Sequence, residues 1–257
     1  MYATDYFESG VLNSFRGQNF SAPTTIYMAL FLTSPTDSGT AGTEVSYGLY
    51  ARQVITFSAP TGANRLRQIA NNAAVTFPAA TTAGGTAQFL AFYDSLTGGN
   101  MLAYSQLSSP VNIGVGEAPS FQPGDVVLSL QNDFSNALKT RILNVFRSTS
   151  MLASIAHMAL FNGSPEDGGA ELSGALYARL PVTFSAPVVA GTAQRINSTA
   201  DMKFSRANET WGTVNFLALF DSPTGGNAIS YKQVEAKDVF DGRQVGAQQN
   251  AVYISFN

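Results

Sequence analysis

The sequence predicts an all-β protein of two tandem antiparallel β-sandwich modules, jelly-roll-like, each preceded by a short amphipathic α-helix. Two observations carry this prediction. The chain of 257 residues repeats itself: residues 44–104 and 171–231 align without a gap at an offset of 127, with 28 identities in 61 positions. Each copy also consists mainly of short runs rich in β-branched and aromatic residues, separated by turn residues, as in a sandwich.

The repeat divides the chain into a first module at residues 1–132 and a second module at residues 133–257. Each module has the usual size of a domain. We therefore expect residues 133–257 to fold when they are expressed alone.

A helix is predicted at the start of each module. In the second module the apolar residues of one helical face are Leu138, Ile142, Val145 and Phe146. In the first module the corresponding spacing is kept by Phe7, Val11 and Phe15. Asp133 or Ser135 can cap the second helix, whereas Gly10 weakens the first and Gly17 is expected to end it.

Strands are predicted after each helix. In the first module they cover residues 25–32, 51–57, 71–77, 88–93, 101–106 and 126–130. The first of these runs is apolar on both faces, so we expect the helix to pack on its outer face. Residues 107–124 and 234–249, where the two copies diverge, are predicted to be long loops that contact different neighbours.

The composition restricts the classes of function. The net charge of −3 provides no broad basic surface, so we expect no nucleic-acid partner, and the absence of cysteine excludes disulfides, thiolate metal sites and thiol nucleophiles. The paired Arg65 and Arg67 are interpreted as a solvated strand face. No apolar run is long enough for a membrane helix or a signal peptide, so we expect a protein made in the cytoplasm without a membrane partner.

The single histidine, His157, is the residue on which a Ser-His-Asp system or a metal site would centre. Its counterpart in the first copy is Tyr27, and it directly precedes a Met-Ala-Leu-Phe string that both copies share. A structural histidine is therefore the favoured interpretation.

The acids that recur in both copies are Asp37, Glu44 and Asp94. Asp94 could form a carboxylate pair with Asp37 or with Glu44, and Asp37 and Asp94 together with loop carbonyls could bind Ca²⁺. All three lie in turns or at strand edges, which explains them without chemistry. Gly114-Val115-Gly116 is interpreted as a loop, because no helix pattern or Gly-Lys-Ser/Thr motif accompanies it. The sequence thus predicts no catalytic, cofactor-binding or metal-binding residue and no enzyme activity.

Trp211 is the only tryptophan, and Gly84 occupies its place in the first copy. It could be a platform on which sugars stack, as in a carbohydrate-binding module. A core or edge tryptophan that closes the sandwich is the favoured interpretation.

Several strings, in their order and spacing, resemble those of small structural proteins of tailed bacteriophages, described as tail-fibre-like or head-decoration proteins. These strings are residues 5–8, 12–16, 27–31, 34–37, 44–52, 54–60, 211–214 and 221–227. The tandem copy departs from the single module that the resemblance suggests. The resemblance implies a non-enzymatic component of the virion.

We therefore expect a capsid decoration or cement protein that binds and stabilises the capsid surface. Its partners would be the major capsid protein or other virion proteins, and we expect it to form a homo-oligomer. The alternative is a tail or fibre component that contacts host surface glycans. An exposed Trp211 would favour the fibre component, and a buried one the decoration protein.

Overall fold

The computed structural model describes residues 1–131 and 133–257. The elements of the first half are β1 (Tyr2–Ala3), α1 (Asp5–Asn13), β2 (Ile26–Phe31), β3 (Gln53–Ile55), β4 (Arg67–Ala70), β5 (Val75–Thr76), β6 (Gly85–Tyr93), β7 (Met101–Ile113), β8 (Ser120–Phe121) and β9 (Val127–Leu130). Those of the second half are α2 (Asn136–Val145), β10 (Ala156–Asn162), β11 (Ala170–Glu171), β12 (Leu180–Val182), β13 (Val188–Ala190), β14 (Ala193–Asn197), β15 (Met202–Lys203), β16 (Gly212–Phe220), β17 (Ala228–Val239), β18 (Gly246–Ala247) and β19 (Tyr253–Phe256).

Each half contains one large antiparallel sheet and smaller antiparallel sheets. The large sheets have the orders β1-β7-β6-β2-β3 and β11-β10-β16-β17, with β12 also paired to β10. The small sheets are β4-β9 and β5-β8 in the first half, and β13-β14-β19 and β15-β18 in the second. Strands β2 and β6 pair in the same register as their counterparts β10 and β16, since Ala29 pairs with Ala91 and Ala159 pairs with Ala218. The predicted all-β fold of tandem modules is confirmed.

The divergent segments differ from the prediction, because much of their length is strand. Strand β7 continues to Ile113 and β17 to Val239, and each is followed by a turn and a short strand. A register shift interrupts the pairing of β6 with β7 between Ala87 and Phe89. Residues 107–110, which include a proline, lie at this irregularity, and a proline is tolerated in a strand where the ladder is already broken. Residues 107–113 therefore continue strand β7, although their composition is typical of a turn.

The helices begin where capping chemistry allows. The hydroxyl of Thr4 accepts a hydrogen bond from the backbone of Phe7, and the hydroxyl of Ser135 accepts one from Leu138. Helix α1 ends at Asn13, four residues before the predicted end at Gly17. Of the two caps predicted for the second helix, the structure uses Ser135.

The two copies contact each other through equivalent residues. Phe20 and Met151, which follow the two helices at equivalent positions, exchange both backbone hydrogen bonds at 2.9 Å. Arg16 Nε donates to Phe184 O at 3.3 Å, and Arg147 Nε donates to Phe57 O at 3.4 Å. These contacts are reciprocal, because each arginine follows one helix and reaches the equivalent residue of the other half.

Each helix packs against both halves of the chain. Helix α1 packs against β7 of its own half and against β14 and β19 of the other, while α2 packs against β17 of its own half and β4 of the other. The ring centroids of Phe7 and Phe146 lie 5.1 Å apart, and those of Phe7 and Phe256 lie 6.1 Å apart. One continuous apolar core therefore joins both halves.

The predicted position of the first helix on β2 is wrong. The face of β2 that carries Ala29 and Phe31 belongs to a separate cluster without helical residues. The helical side chains share the core with Met28 and Leu30, on the opposite face. A loop contacts the face that carries Ala29 and Phe31 instead, because Tyr104 OH in the same cluster donates to the Asp37 carboxylate at 2.8 Å.

Candidate functional site

Glu44 is the centre of a polar cluster in the first half. Arg52 donates to both of its oxygens, from Nε at 3.0 Å and from Nη2 at 2.9 Å, and Tyr50 OH donates to Oε1 at 3.1 Å. The same arginine donates from Nη1 to the carbonyls of Ser95 and Gly98, at 3.1 and 2.7 Å. The cluster therefore fastens the hairpin loop between β6 and β7 to the segment that precedes β3.

The second half repeats this cluster. Arg179 donates to both oxygens of Glu171 at 2.8 and 2.7 Å, and Tyr177 OH donates to Oε1 at 2.9 Å. The guanidinium also donates to the carbonyls of Ser222 and Gly225 and lies 3.7 Å from the centroid of the Phe220 ring. Because two homologous loops are held in the same way, the cluster has a framework role.

The electrostatics of the cluster agree with that role. Burial, followed by the negative charge of Glu44, raises the pKa of Tyr50 above its ordinary value. Burial likewise raises the pKa of Tyr93 to about 12, although the Arg52 guanidinium 3.4 Å from the ring centroid opposes the shift. Both phenols stay protonated at physiological pH, and neither is poised to act as a base.

The other two recurrent acids also have local partners. Asp94 accepts hydrogen bonds from the backbone and side-chain nitrogens of Asn100 at 2.7 and 2.9 Å, which closes the hairpin loop. Asp37 accepts from Tyr104 OH, and its carbonyl accepts from Asp5 N at 2.9 Å. Among the residues that the structure describes, no group of three or more acidic, histidine or cysteine side chains could hold a metal ion.

His157 lies in β10, half-buried, opposite Phe220 and Pro181. Its Nδ1 is 2.9 Å from the carbonyl oxygen of Ile155. The backbone of His157 is thus part of the sheet, and a structural role for its imidazole remains a prediction.

Trp211 is a core residue, only 6% exposed, as its favoured interpretation predicted. Its ring packs edge-on against Tyr177 at 5.5 Å, and a Cβ on Gly174 would lie 2.3 Å from the indole. In the first copy the sizes are reversed: Tyr47 occupies the position of Gly174 and packs edge-on against its own neighbouring tyrosine at 5.4 Å. A Cβ on Gly84, which replaces the tryptophan, would lie 2.8 Å from the Tyr47 ring. The same space is thus filled from opposite sides in the two halves.

Arg65 is not on a solvated strand face. It lies in the turn before β4 at φ +67°, its Nη2 is 3.3 Å from Asp167 Oδ2, and its guanidinium is 5.5 Å from the Tyr231 ring centroid. Arg67, in β4, donates to the carbonyls of Gly62 and Leu66. Both arginines therefore hold local structure, and Arg65 also contacts the other half.

Gly114-Val115-Gly116 forms the turn after β7, as predicted, with Gly116 at φ +87°. Val115 in this turn is 70% exposed. Phe240, in the corresponding turn after β17, is 51% exposed. The two turns thus present different apolar side chains to solvent.

An open groove of about 330 Å³ lies in the second half between β16, β17 and β19. Its apolar lining includes Leu217, Leu219, Val234, Val252 and Ile254. Lys232 Nζ lies 3.3 Å from Tyr253 OH beside it. The groove therefore presents apolar surface with an ammonium group nearby.

The β framework is thus made of two copies of one module, whose recurrent polar groups fasten loops and join the halves. The chain belongs to the family described as Podophage GP4 fiber I protein gp80, whose model matches residues 2–129 and again residues 133–255. It is thus a structural component of a bacteriophage virion. No curated protein matches the chain. No helix in the described parts of the chain is long and apolar enough to cross a membrane.

Proposed function

We propose that this protein is a structural subunit of a podophage fibre. The observation that carries the proposal is the match of both halves to a family that is described as a fibre protein. The continuous core and the reciprocal contacts between the halves support the proposal, because they hold the two halves together as one structural unit. This proposal favours the fibre alternative over the expected decoration protein.

The contacts with neighbouring proteins are assigned to the turns after β7 and β17. Val115 and Phe240 are exposed there, and these turns belong to the segments in which the copies diverge. Two different apolar turns in one chain can bind two different neighbours, and binding at one raises the effective concentration at the other. The proposed partners are other virion proteins and further copies of this chain.

A capsid decoration or cement protein is the second candidate, and the burial of Trp211 favours it. A buried tryptophan offers no stacking platform for a host glycan. In this case the major capsid protein would be the partner.

The position and number of copies in purified particles distinguish the two candidates. A fibre subunit should be present in a few tens of copies or fewer and should be labelled by antibody at the tail. A decoration protein should be present in hundreds of copies and should be labelled over the head. Glycan binding by the purified protein would add a host-surface role to the fibre.

The assigned turns can be tested by substitution. V115S and F240S should each reduce incorporation of the protein into particles without changing its urea midpoint. L96S is the matched control, because Leu96 is 47% exposed in the hairpin loop between β6 and β7. Equal incorporation of all three variants would contradict the assignment.

A further inference from the structure

The groove between β16, β17 and β19 is lined by residues that differ from their counterparts in the first half. Strands β16 and β17 pair in the same register as β6 and β7, which makes Leu219 equivalent to Phe92 and Val234 equivalent to Leu107. In both positions the second half has the smaller side chain. These two side chains therefore fill less of the space between the large sheet and β19 than those of the first half would.

The rest of the lining is mostly apolar. It includes Met158 and Ile254, and Phe134 adds an aromatic ring where the first copy has Ala3. The volume of about 330 Å³ lies at the lower end of the range of roughly 300–1,000 Å³ for small-molecule sites. A groove of this size and composition fits an alkyl chain.

Two cationic side chains meet at Tyr253, which lines this groove. Lys232 Nζ lies 3.3 Å from Tyr253 OH and 5.3 Å from the ring centroid, and the guanidinium carbon of Arg195 lies 4.6 Å from the same centroid. The counterparts of the two cations are the uncharged Ser105 and Gln68. Neither cation forms an ion pair in the described parts of the chain, and Arg195 Nε is buried there without a hydrogen-bond partner. The second half thus has positive charge available for an anion beside its apolar groove.

We propose that the groove binds a single-chain amphiphile with an anionic head group, such as a fatty acid. The alkyl chain lies against Leu219 and Val234, and its burial supplies affinity. The carboxylate accepts hydrogen bonds from Lys232 and Arg195, whose charges are complementary to it. The lining also contains the acid Asp133, whose charge repels a carboxylate, so the head group is placed at the two cations.

The first copy supplies the variants that test the alkyl-chain site. The full chain is titrated with octanoate and decanoate below their critical micelle concentrations, and binding is followed by the methyl NMR signals of the protein. We expect saturable binding to a single site, with an affinity that rises about two- to fourfold for each methylene group added. L219F/V234L introduces the residues of the first copy and should weaken decanoate binding by about tenfold or more, because the larger side chains occupy the groove. V115L, which enlarges an exposed residue outside the groove, is the matched control and should leave decanoate binding unchanged.

The head-group site is tested with K232S/R195Q, which again introduces the residues of the first copy. This variant should bind octanoate about tenfold more weakly, because the carboxylate loses both cations. It should bind octanol, which has the same chain and no charge, as strongly as the unsubstituted protein does. This comparison does not depend on the packing changes in L219F/V234L.

The proposal is overturned if decanoate shows no saturable binding, or if L219F/V234L binds it undiminished. An octanoate affinity that is unchanged in K232S/R195Q, or that falls together with the octanol affinity, would also overturn it. Self-association in analytical ultracentrifugation that L219F/V234L abolishes and decanoate does not inhibit would assign the groove to a second copy of the chain instead.

Discussion

Replacement of Glu8 by Gln is expected to stabilise the protein at neutral and alkaline pH and to have little effect at acidic pH. The carboxyl accepts one hydrogen bond through Oε2, while Oε1 has no hydrogen-bond partner among residues 1–131 and 133–257. Burial raises the pKa of this group to about 8 from an ordinary value of 4.5. The N–H of Gln194 opposes the shift, and the negative charges of Asp5 and Asp37 add to it.

The sign of the effect follows from proton binding. The folded protein keeps the proton on Glu8 up to about pH 8, whereas the unfolded chain loses it near pH 4.5. The contribution of this group to stability is therefore fully present below pH 4.5 and is lost as the pH rises to 8. At about 1.4 kcal/mol for each pKa unit, the full loss is about 5 kcal/mol. Relaxation around the ionised group and entry of water reduce it, and we expect about 2–4 kcal/mol.

The assay is urea unfolding of the protein and of E8Q at several pH values between 4.5 and 9. The free energies of unfolding should agree near pH 4.5 and diverge by about 2–4 kcal/mol at pH 9, with E8Q the more stable. E235Q is the control, because the Glu235 side chain is 87% exposed and its removal should shift the curve little at any pH. Parallel curves for E8Q and the unsubstituted protein would refute the reasoning.

Three further predictions test the packing and the loop contacts. G84W should lower the free energy of unfolding by about 3 kcal/mol or more, because the indole would clash with Tyr47. Adding Y47G should restore at least half of that loss. Additive effects of the two substitutions in a double-mutant cycle would contradict the compensation between the residues at positions 47 and 84. R52A and R179A should each lower the free energy of unfolding in urea by about 2–3 kcal/mol, because each breaks a largely buried ion pair. An unchanged urea midpoint in both variants would exclude a framework role for these arginines. G10A should destabilise by about 1–2 kcal/mol, because its Cβ would lie 2.5 Å from ring carbons of Phe20, which outweighs the gain in helix propensity. A rise in melting temperature for G10A would show that the ring moves aside freely.

The sequence predicts most elements of the fold because their signals are local. The helical faces, the Ser135 cap and the central strands depend on spacing and on residues within a few positions of each other. The limits of β7 and β17 were not predictable in the same way, since a strand that is held by its partner tolerates the residues of a loop. The burial of Trp211 was predictable from its replacement by Gly84, whereas the compensating Tyr47 depends on a contact across the sandwich.

The packing of each helix against both halves could not be predicted from the sequence. An apolar helical face shows that the helix must be covered, but the two homologous halves offer equivalent sheets, and periodicity does not distinguish between them. Two residues did carry a signal. Glu8 and Lys139 interrupt the apolar stripes beside Phe7 and Leu138, and a charge at such a position indicates a specific buried partner.

The packing also bears on the prediction that residues 133–257 fold alone, which stays a prediction. In that fragment β14 and β19 would lose α1, which packs against them from the other half, and α2 would lose β4. The apolar surfaces thus exposed belong to the continuous core, so the fragment must find another protein surface to cover them. Joining both copies in one chain supplies that surface at a high effective concentration. Because the two copies are joined in one chain, each half can depend on the other for stability, and folding does not require association with a second chain.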